Sequence, residues 1–209
     1  MEFDFAVSPP EDRYRLLINF IGPHPIALVS TRSPDGVANA APMSFFNVFL
    51  HEPPILALGI QLRLSGPDKD TMVNLRQSGE FVVHMVDMAV ARAMLICGLG
   101  VDPQVDEIAL AGLTKKPARK VSAPLIAEAP CAMECRVERI IDWPHRALVL
   151  GEVVQMHIRA DCLDAAGRYV NPETYQPIAR LHADNYITSD RQFELRAPRL
   201  ADVLASAKG

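Results

Sequence analysis

Residues 25–47 read PIALVSTRSPDGVANAAPMSFFN. The first seven, Pro25 to Thr31, form a short apolar run that ends at Arg32-Ser33. Pro34-Asp35-Gly36 is then a turn signal, because proline presets one turn dihedral and glycine accepts a positive φ. Val37 to Phe46 reads as the returning strand, so the stretch predicts a β-hairpin. Working outward, Pro54 to Ile60 is an apolar run suited to a strand buried on both faces, and Glu80 to Val86 is a fourth strand. Met133, Cys135, Val137 and Ile141 share one parity against Glu134, Arg136 and Glu138, with Arg139 out of step. That is the alternation of a half-buried strand. Ala147 to Ile158 adds a long strand in which Gly151 permits a bulge or bend. Strands at this spacing, six of them, predict a mainly β chain with flanking helices, its sheet closed or nearly closed into an antiparallel barrel.

Helix signals are fewer. Thr71 to Ser78 lies between Asp70, expected to cap its start, and Gly79, expected to stop it. Asp87 precedes Met88 to Cys97, with Gly98 as the stop; Gly100 to Ala123 reads as a surface excursion near the barrel mouth, and Leu200 to Ala207 as a terminal helix. The 209 residues carry 17 Pro against 11 Gly, which favours rigid turns over long helices. Without repeats or a low-complexity linker, residues 1–209 are expected to form a single domain with a core from about 22 to 198, an N-terminal extension and a C-terminal helical tail. Lys plus Arg total 21 against 25 Asp plus Glu, a formal charge of −4, and with no basic stripe nucleic acid is an unsuitable partner. The acidic, proline-bearing start is unlike a signal peptide, and no window approaches the roughly 18 apolar residues of a membrane span. A cytoplasmic protein without membrane association is expected. Cys97, Cys131, Cys135 and Cys162 lack metal-ligand spacing and read as reduced, mostly buried thiols, with no metal expected.

Two segments carry candidate chemistry. Ser65 to Thr71 runs directly into a predicted helix, whose N-terminal N–H groups and positive dipole end favour an anion. Lys69 adds a cation, the Ser65 and Thr71 hydroxyls are potential donors to phosphate oxygens, and Arg63 stands two residues before Ser65. A carboxylate facing a phosphate would weaken binding, so Asp70 is expected to turn back and cap the helix. The same stretch also describes an ordinary capped surface helix with a solvated lysine. In Asn39 to Asn47, small residues allow close backbone approach, Phe45 and Phe46 supply flat apolar surface, and Ser44 and Asn47 supply polar groups. A planar heteroaromatic ring with polar edges needs that mixture; a core strand explains it as well. Gly98-Leu-Gly100 fails as a dinucleotide fingerprint because the third glycine falls at Pro103, and no Walker, Gly-x-Ser-x-Gly or His-Glu-x-x-His motif is present. His84 and His157, on predicted strands, read as structural, and no side chain stands out as a catalytic acid, base or nucleophile.

Taken together, these segments resemble the flavin reductase-like family, the FMN-binding split barrels. The resemblance rests on Pro25 to Thr31, Asp35-Gly36, Asn39, Ala41 to Asn47, Pro53-Pro54, Lys69 to Thr71 with Asn74, Gly79 to Val83, Gly151 to Val153, and Arg180-Leu-His182 with Tyr186. It implies a six-stranded antiparallel Greek-key split barrel and a homodimer with one FMN per subunit near the interface. Ser65, Lys69 and Thr71 would hold the phosphate, in a cofactor-binding segment that also carries Arg63 and Asp70. Met43, Ser44, Phe45, Phe46 and Asn47 would line the isoalloxazine, and Ser30 and Thr31 would lie near the ring or the ribityl chain. Arg180, His182 and Tyr186 would approach the exposed, substrate-side face; many relatives carry glycine where this chain has His182. The implied activity is an NAD(P)H-dependent flavin reductase with hydride passing to flavin N5. A flavoredoxin-like electron carrier, or an FMN enzyme acting on another substrate with tightly held FMN, is the alternative.

Overall fold

The structure is a computed structural model and describes residues 1–63, 65 and 67–200. Helix α1 (Pro10–Phe20) precedes strands β1 (His24–Pro25), β2 (Ala27–Arg32), β3 (Ala38–Met43), β4 (Phe46–His51) and β5 (Pro54–Gln61). Helix α2 (Asp70–Ser78) leads into β6 (Glu80–Met85), and helices α3 (Ala91–Cys97) and α4 (Glu107–Leu110) follow. A small ladder pairs β7 (Lys115–Lys116) with β8 (Leu125–Ile126). The long strands β9 (Cys131–Trp143) and β10 (Arg146–Ile158) come next, then the short β11 (Ile178–Arg180) and β12 (Tyr186–Thr188).

The main sheet has the order β3-β2-β6-β9-β10-β5-β4, with every neighbouring pair antiparallel. Its two edge strands, β3 and β4, are consecutive in the chain and separated only by Ser44 and Phe45. Two residues cannot span a flat sheet of that width, since neighbouring strands lie about 4.8 Å apart. The sheet therefore curls until its edges meet. The expected strand from Val37 to Phe46 is thus broken at a kink, and counting β3–β4 as one bent strand recovers the six expected of a split barrel.

The barrel interior holds Val29, Leu58, Met72, Leu75, Phe81, Val83, Cys135 and Val149. A second cluster, including Leu28, Val86, Val90, Met94 and Ile108, lies between the sheet and helices α3 and α4. Ile108 is fully buried, so the segment from Gly100 to Ala123 supplies core as well as surface. Glu134 departs from the half-buried pattern of β9: it is fully buried and accepts the N–H groups of Arg119 (2.8 Å) and Lys120 (2.5 Å) beside His157 Nε2 (2.6 Å). The loop around residues 119–120 covers that face, which period-two alternation cannot reveal.

Local signals are realised at most element ends. Gly79 ends α2 in the left-handed region (φ 66°), its N–H donating to Leu75 O. Asp87 accepts the N–H groups of Ala89 and Val90, and the helix begins three residues later than expected, at Ala91. Helix α1, unread in the sequence, starts at Pro10 with Glu11 and Asp12 in its first turn, a favourable arrangement at a helix N-terminus. The expected terminal helix extends from Leu200 into residues 201–207, outside the described residues. No helix among the described residues is long and apolar enough to cross a membrane.

Gly151 sits at a register shift between β9 and β10, and a Cβ there would lie 2.3 Å from Phe81 Cζ in the barrel core. Gly151→Ala should therefore cost about 2–3 kcal/mol of stability in urea unfolding. Adding Phe81→Leu should lose less than the sum of the single changes. His84 is fully buried, its Nδ1–H donating to Leu28 O (3.0 Å) while Nε2 accepts from Ile126 N–H (2.9 Å). Both bonds require the neutral ring, and burial lowers its pKa from 6.5 to about 4. As pH falls through that window the unfolded chain takes up a proton that the folded chain refuses. Stability should drop by about 3 kcal/mol from this group by pH 4, a slope that the urea midpoints of His84→Gln should lack.

Candidate functional site

The kink that closes the barrel also opens a cleft. Met43, Ser44 and Phe45 form one wall of a space of about 630 Å³, including its open mouth. Gly59, Ile60 and Gln61 of β5 face them, with Tyr14 of α1 at the rim. Lys69 and Thr71 enter from the start of α2, Arg146 from the start of β10 and Arg180 from the end of β11. Phe45 O accepts Gly59 N–H at 2.7 Å, and a Cβ on Gly59 would stand 2.9 Å from Phe45 Cβ. Glycine is what lets β5 approach the kink so closely. Arg146 Cζ lies 4.3 Å from the centre of the Phe45 ring, and Nη1 donates to Gly59 O at 3.2 Å. This cation–π stacking fixes both side chains.

The cleft is electrostatically one-sided. Lys69, Arg146 and Arg180 line it without any carboxylate, and among the described residues none of the three has an ion-pair partner. Burial lowers the Arg146 pKa from its very high ordinary value, and the guanidinium stays cationic. The nearest acids are directed elsewhere. Asp68 pairs with Arg76 at 3.9 Å, and Arg76 is also held by Asp142 at 2.6 Å. Asp70 does not cap α2: Lys69 occupies the cap position without a side-chain bond, and Asp70 is the first helical residue. Met72 and Val73 N–H both donate to Lys69 O (2.8 and 3.1 Å), while the N–H groups of Asp70 and Thr71 have no partner among the described residues. The start of α2 thus offers two unpaired donors beside a lysine, the arrangement that attracts an anion.

Of the residues singled out in the sequence, Met43, Ser44, Phe45, Lys69, Thr71 and Arg180 share this cleft. Tyr186 lines an adjoining lobe with Ile26, Met94, Leu95 and Gly98, reached past Pro42, Met43, Ser44 and Arg180. Others lie elsewhere. Phe46 is buried on the other side of the kink, since successive residues on a strand face opposite ways. Asn47 is exposed and its Oδ1 accepts its neighbour's N–H at Val48. Ser30 is fully buried and donates to Pro124 O at 2.6 Å. Thr31, also fully buried, donates to Asn39 Oδ1 at 3.1 Å, behind the cleft wall. Arg63 and Ser65 are exposed outside the cleft, Arg63 Nη1 reaching Pro67 O at 3.4 Å. His182 lies in the β11–β12 turn, where its carbonyl accepts Asn185 N–H. Tyr14, Gln61 and Arg146 escaped the sequence reading. An inward arginine at a strand start shows only when the pairing of Arg146 with Gln61 is known.

A family model described as the flavin reductase like domain matches residues 22–179. The split barrel and this match define one class, and the chain belongs to the flavin reductase-like family. An uncharacterized protein of Halalkalibacterium halodurans is 36% identical over 197 residues, covering 91% of this chain and 93% of its own. Among solved structures, the 2-nitrobenzoate 2-nitroreductase of Pseudomonas fluorescens superposes with a TM-score of 0.87 at 31% identity, covering 96% of this chain and 98% of that one. Nitrilotriacetate monooxygenase component B from Bacillus cereus gives 0.88 at 33% identity, covering 93% and 98%. The matched family span begins at Gly22, where the expected core begins, and stops before His182 and Tyr186.

Because Gly59 and Phe45 are in contact, Gly59→Ala should push the kink away from β5. A stability loss of about 1–3 kcal/mol in urea unfolding, with displaced NMR resonances of the Arg146 side chain as it leaves the Phe45 ring, is the expected result.

Proposed function

We propose that the cleft holds FMN and that the protein is a flavin-dependent oxidoreductase using NAD(P)H as electron donor. The observation that carries this reading is the convergence of Lys69, Arg146 and Arg180 on one cleft free of carboxylates. A phosphate dianion fits Lys69 and the unpaired N–H groups at the start of α2. The Met43–Phe45 segment would offer apolar surface, backbone N–H groups and the Ser44 hydroxyl to a flat ring with polar edges. When bound, FMN supplies a two-electron acceptor at N5, chemistry that no side chain provides. The protein's part is then to bind and orient. No residue need transfer a proton.

Arg180 and Tyr186, which line the adjoining lobe, would receive the reductant or a second substrate. Arg180 is pre-positioned, Nε and Nη2 both donating to Ala183 O at 3.2 and 3.1 Å. We also propose a homodimer. Val48 and Phe49 on β4 are 65% exposed and Phe20 on α1 is 82% exposed, and Leu17, Phe20 and Ile21 share a groove with Phe45, Phe46 and Asn47. An apolar face of this kind, next to the cleft, suits a second copy.

The adjoining lobe, with Ile26, Met94 and Leu95 beside Arg180 and Tyr186, favours a second reading. An organic molecule could be the physiological acceptor, as in the nitroreductase of similar structure, and flavin would then be retained rather than exchanged. An absorption spectrum of freshly purified protein, followed by NADH and NADPH oxidation with and without free FMN, separates the two. Rapid oxidation only with added FMN supports a flavin reductase, and retained yellow colour with little direct turnover supports the carrier or substrate-specific enzyme. Protein that takes up no FMN at micromolar concentration overturns both. Lys69→Ala should weaken FMN binding by about 1.5–3 kcal/mol through loss of a charge-assisted contact. Riboflavin, which lacks the phosphate, should bind parent and variant alike in the same titration.

A further inference from the structure

Behind the cleft wall a buried chain of polar side chains joins four elements: Thr31 on β2, Asn39 on β3, Thr71 and Asn74 on α2, and Glu107 on α4. All five are at most 7% exposed. Glu107 Oε1 accepts from Asn39 Nδ2 at 2.9 Å, and Oε2 accepts Ala40 N–H at 3.4 Å. An ionised carboxylate only accepts, so it dictates which end of the Asn39 amide faces it. The nitrogen faces Glu107, and Oδ1 must point the other way. There it receives two hydroxyls, Thr31 Oγ1 at 3.1 Å and Thr71 Oγ1 at 2.9 Å. Thr31 is in turn an acceptor for Asn74 Nδ2 at 2.9 Å.

A hydroxyl carries one proton. That of Thr71, which lines the cleft, is committed inward to Asn39, so any further hydrogen bond at Thr71 Oγ1 is one that it accepts. We propose that Glu107 is a positioning residue which, by orienting Asn39, makes Thr71 a hydrogen-bond acceptor for a hydroxyl of the ligand's polyol chain rather than a donor to its phosphate. This rests on the FMN reading and divides the labour at the start of α2: Lys69 and the backbone N–H groups meet the phosphate, and the Thr71 side chain meets the sugar alcohol. The charged and titratable groups around Glu107 are few. Asp70 on α2 acts on it electrostatically, the Cys97 thiol on α3 lies 3.7 Å from its backbone carbonyl, and neighbouring Asp106 is engaged by Lys115. Strand β3 presents only the neutral Asn39 and Ala40. Burial, reinforced by Asp70, holds the Glu107 carboxyl above its ordinary range. Protonation would turn an obligate acceptor into a donor and release the orientation of Asn39.

The experiment titrates FMN and riboflavin into the parent, Lys69→Ala, Thr71→Val, Thr71→Ser and Glu107→Gln proteins, with the Asn39 side-chain amide followed by NMR in ligand-free protein. Thr71→Val should weaken both flavins by the same factor, on the order of fivefold for one hydrogen bond, and Thr71→Ser should restore both. Riboflavin affinity of the parent should fall as pH drops through the Glu107 titration and stay flat in Glu107→Gln. The Asn39 amide signals should titrate in the parent and not in that variant. A Thr71→Val effect on FMN alone would show that the hydroxyl serves the phosphate and would overturn the assignment. Asn39 signals indifferent to pH would remove Glu107 from its role while leaving the FMN reading intact. A parent that binds neither flavin would overturn the FMN reading and the ligand half of this inference, with the NMR titration still deciding the Glu107 half.

Discussion

The architecture depends on a two-residue connection. Ser44 and Phe45 link strands on opposite edges of the main sheet, and that connection is satisfied only if the sheet rolls up. Closure brings tight contacts at the seam and across the interior. Gly59 has no Cβ where one would strike Phe45, and Gly151 has none where one would strike Phe81 on the interior. The seam is also where regular pairing stops, so backbone polar groups and small side chains become available to something other than a neighbouring strand. The cleft is thus a consequence of closure.

Closure alone gives a cleft; charge gives it a preference. Surface lysines and arginines ordinarily lie near acids, as Arg76 does with Asp68 and Asp142 and Arg159 with Asp161. Three cations from α2, β10 and β11 left without such partners among the described residues are mutually repulsive until an anion joins them. A ligand of opposite charge would relieve that repulsion. An acidic chain with a formal charge of −4 that holds such a pocket keeps it by local placement, since the overall field works against it.

How far the sequence disclosed this follows from the range of each signal. Turn and cap signals are local: Pro34-Asp35-Gly36, the stop at Gly79 and the bend at Gly151 all fall where expected. The strands were legible because their apolar runs are long. Register is not local, and so Arg146 and Gln61, brought opposite each other in the β5–β10 pairing, stayed invisible; Tyr14 was legible in principle, since Tyr14, Leu17, Ile18 and Ile21 recur at helical spacing. Side-chain burial from a distant loop is equally unreadable, which is why Glu134 looked like a solvent-facing residue. Ser30 and Thr31 were placed near the ligand and lie behind the wall. A short hydroxyl residue looks the same in sequence whether it faces a cofactor or a buried amide.

Thr31 and Thr71 show how these two cases merge. Each hydroxyl is spent on one amide oxygen, and that oxygen is aimed by a carboxylate on a four-residue helix in a segment the sequence marks as loop. A polar chain buried this deeply would be costly if any member were unsatisfied, so each group's donor or acceptor role is forced by its neighbour's. The consequence extends to the surface: the last hydroxyl in the chain has its polarity fixed before any ligand arrives. A binding site can therefore discriminate between a hydroxyl and a phosphate oxygen, both of similar size, through a residue that touches neither. Glu107 occupies that position here, and the excursion between α3 and β8 that carries it is part of the site's chemistry even though none of its side chains lines the cleft.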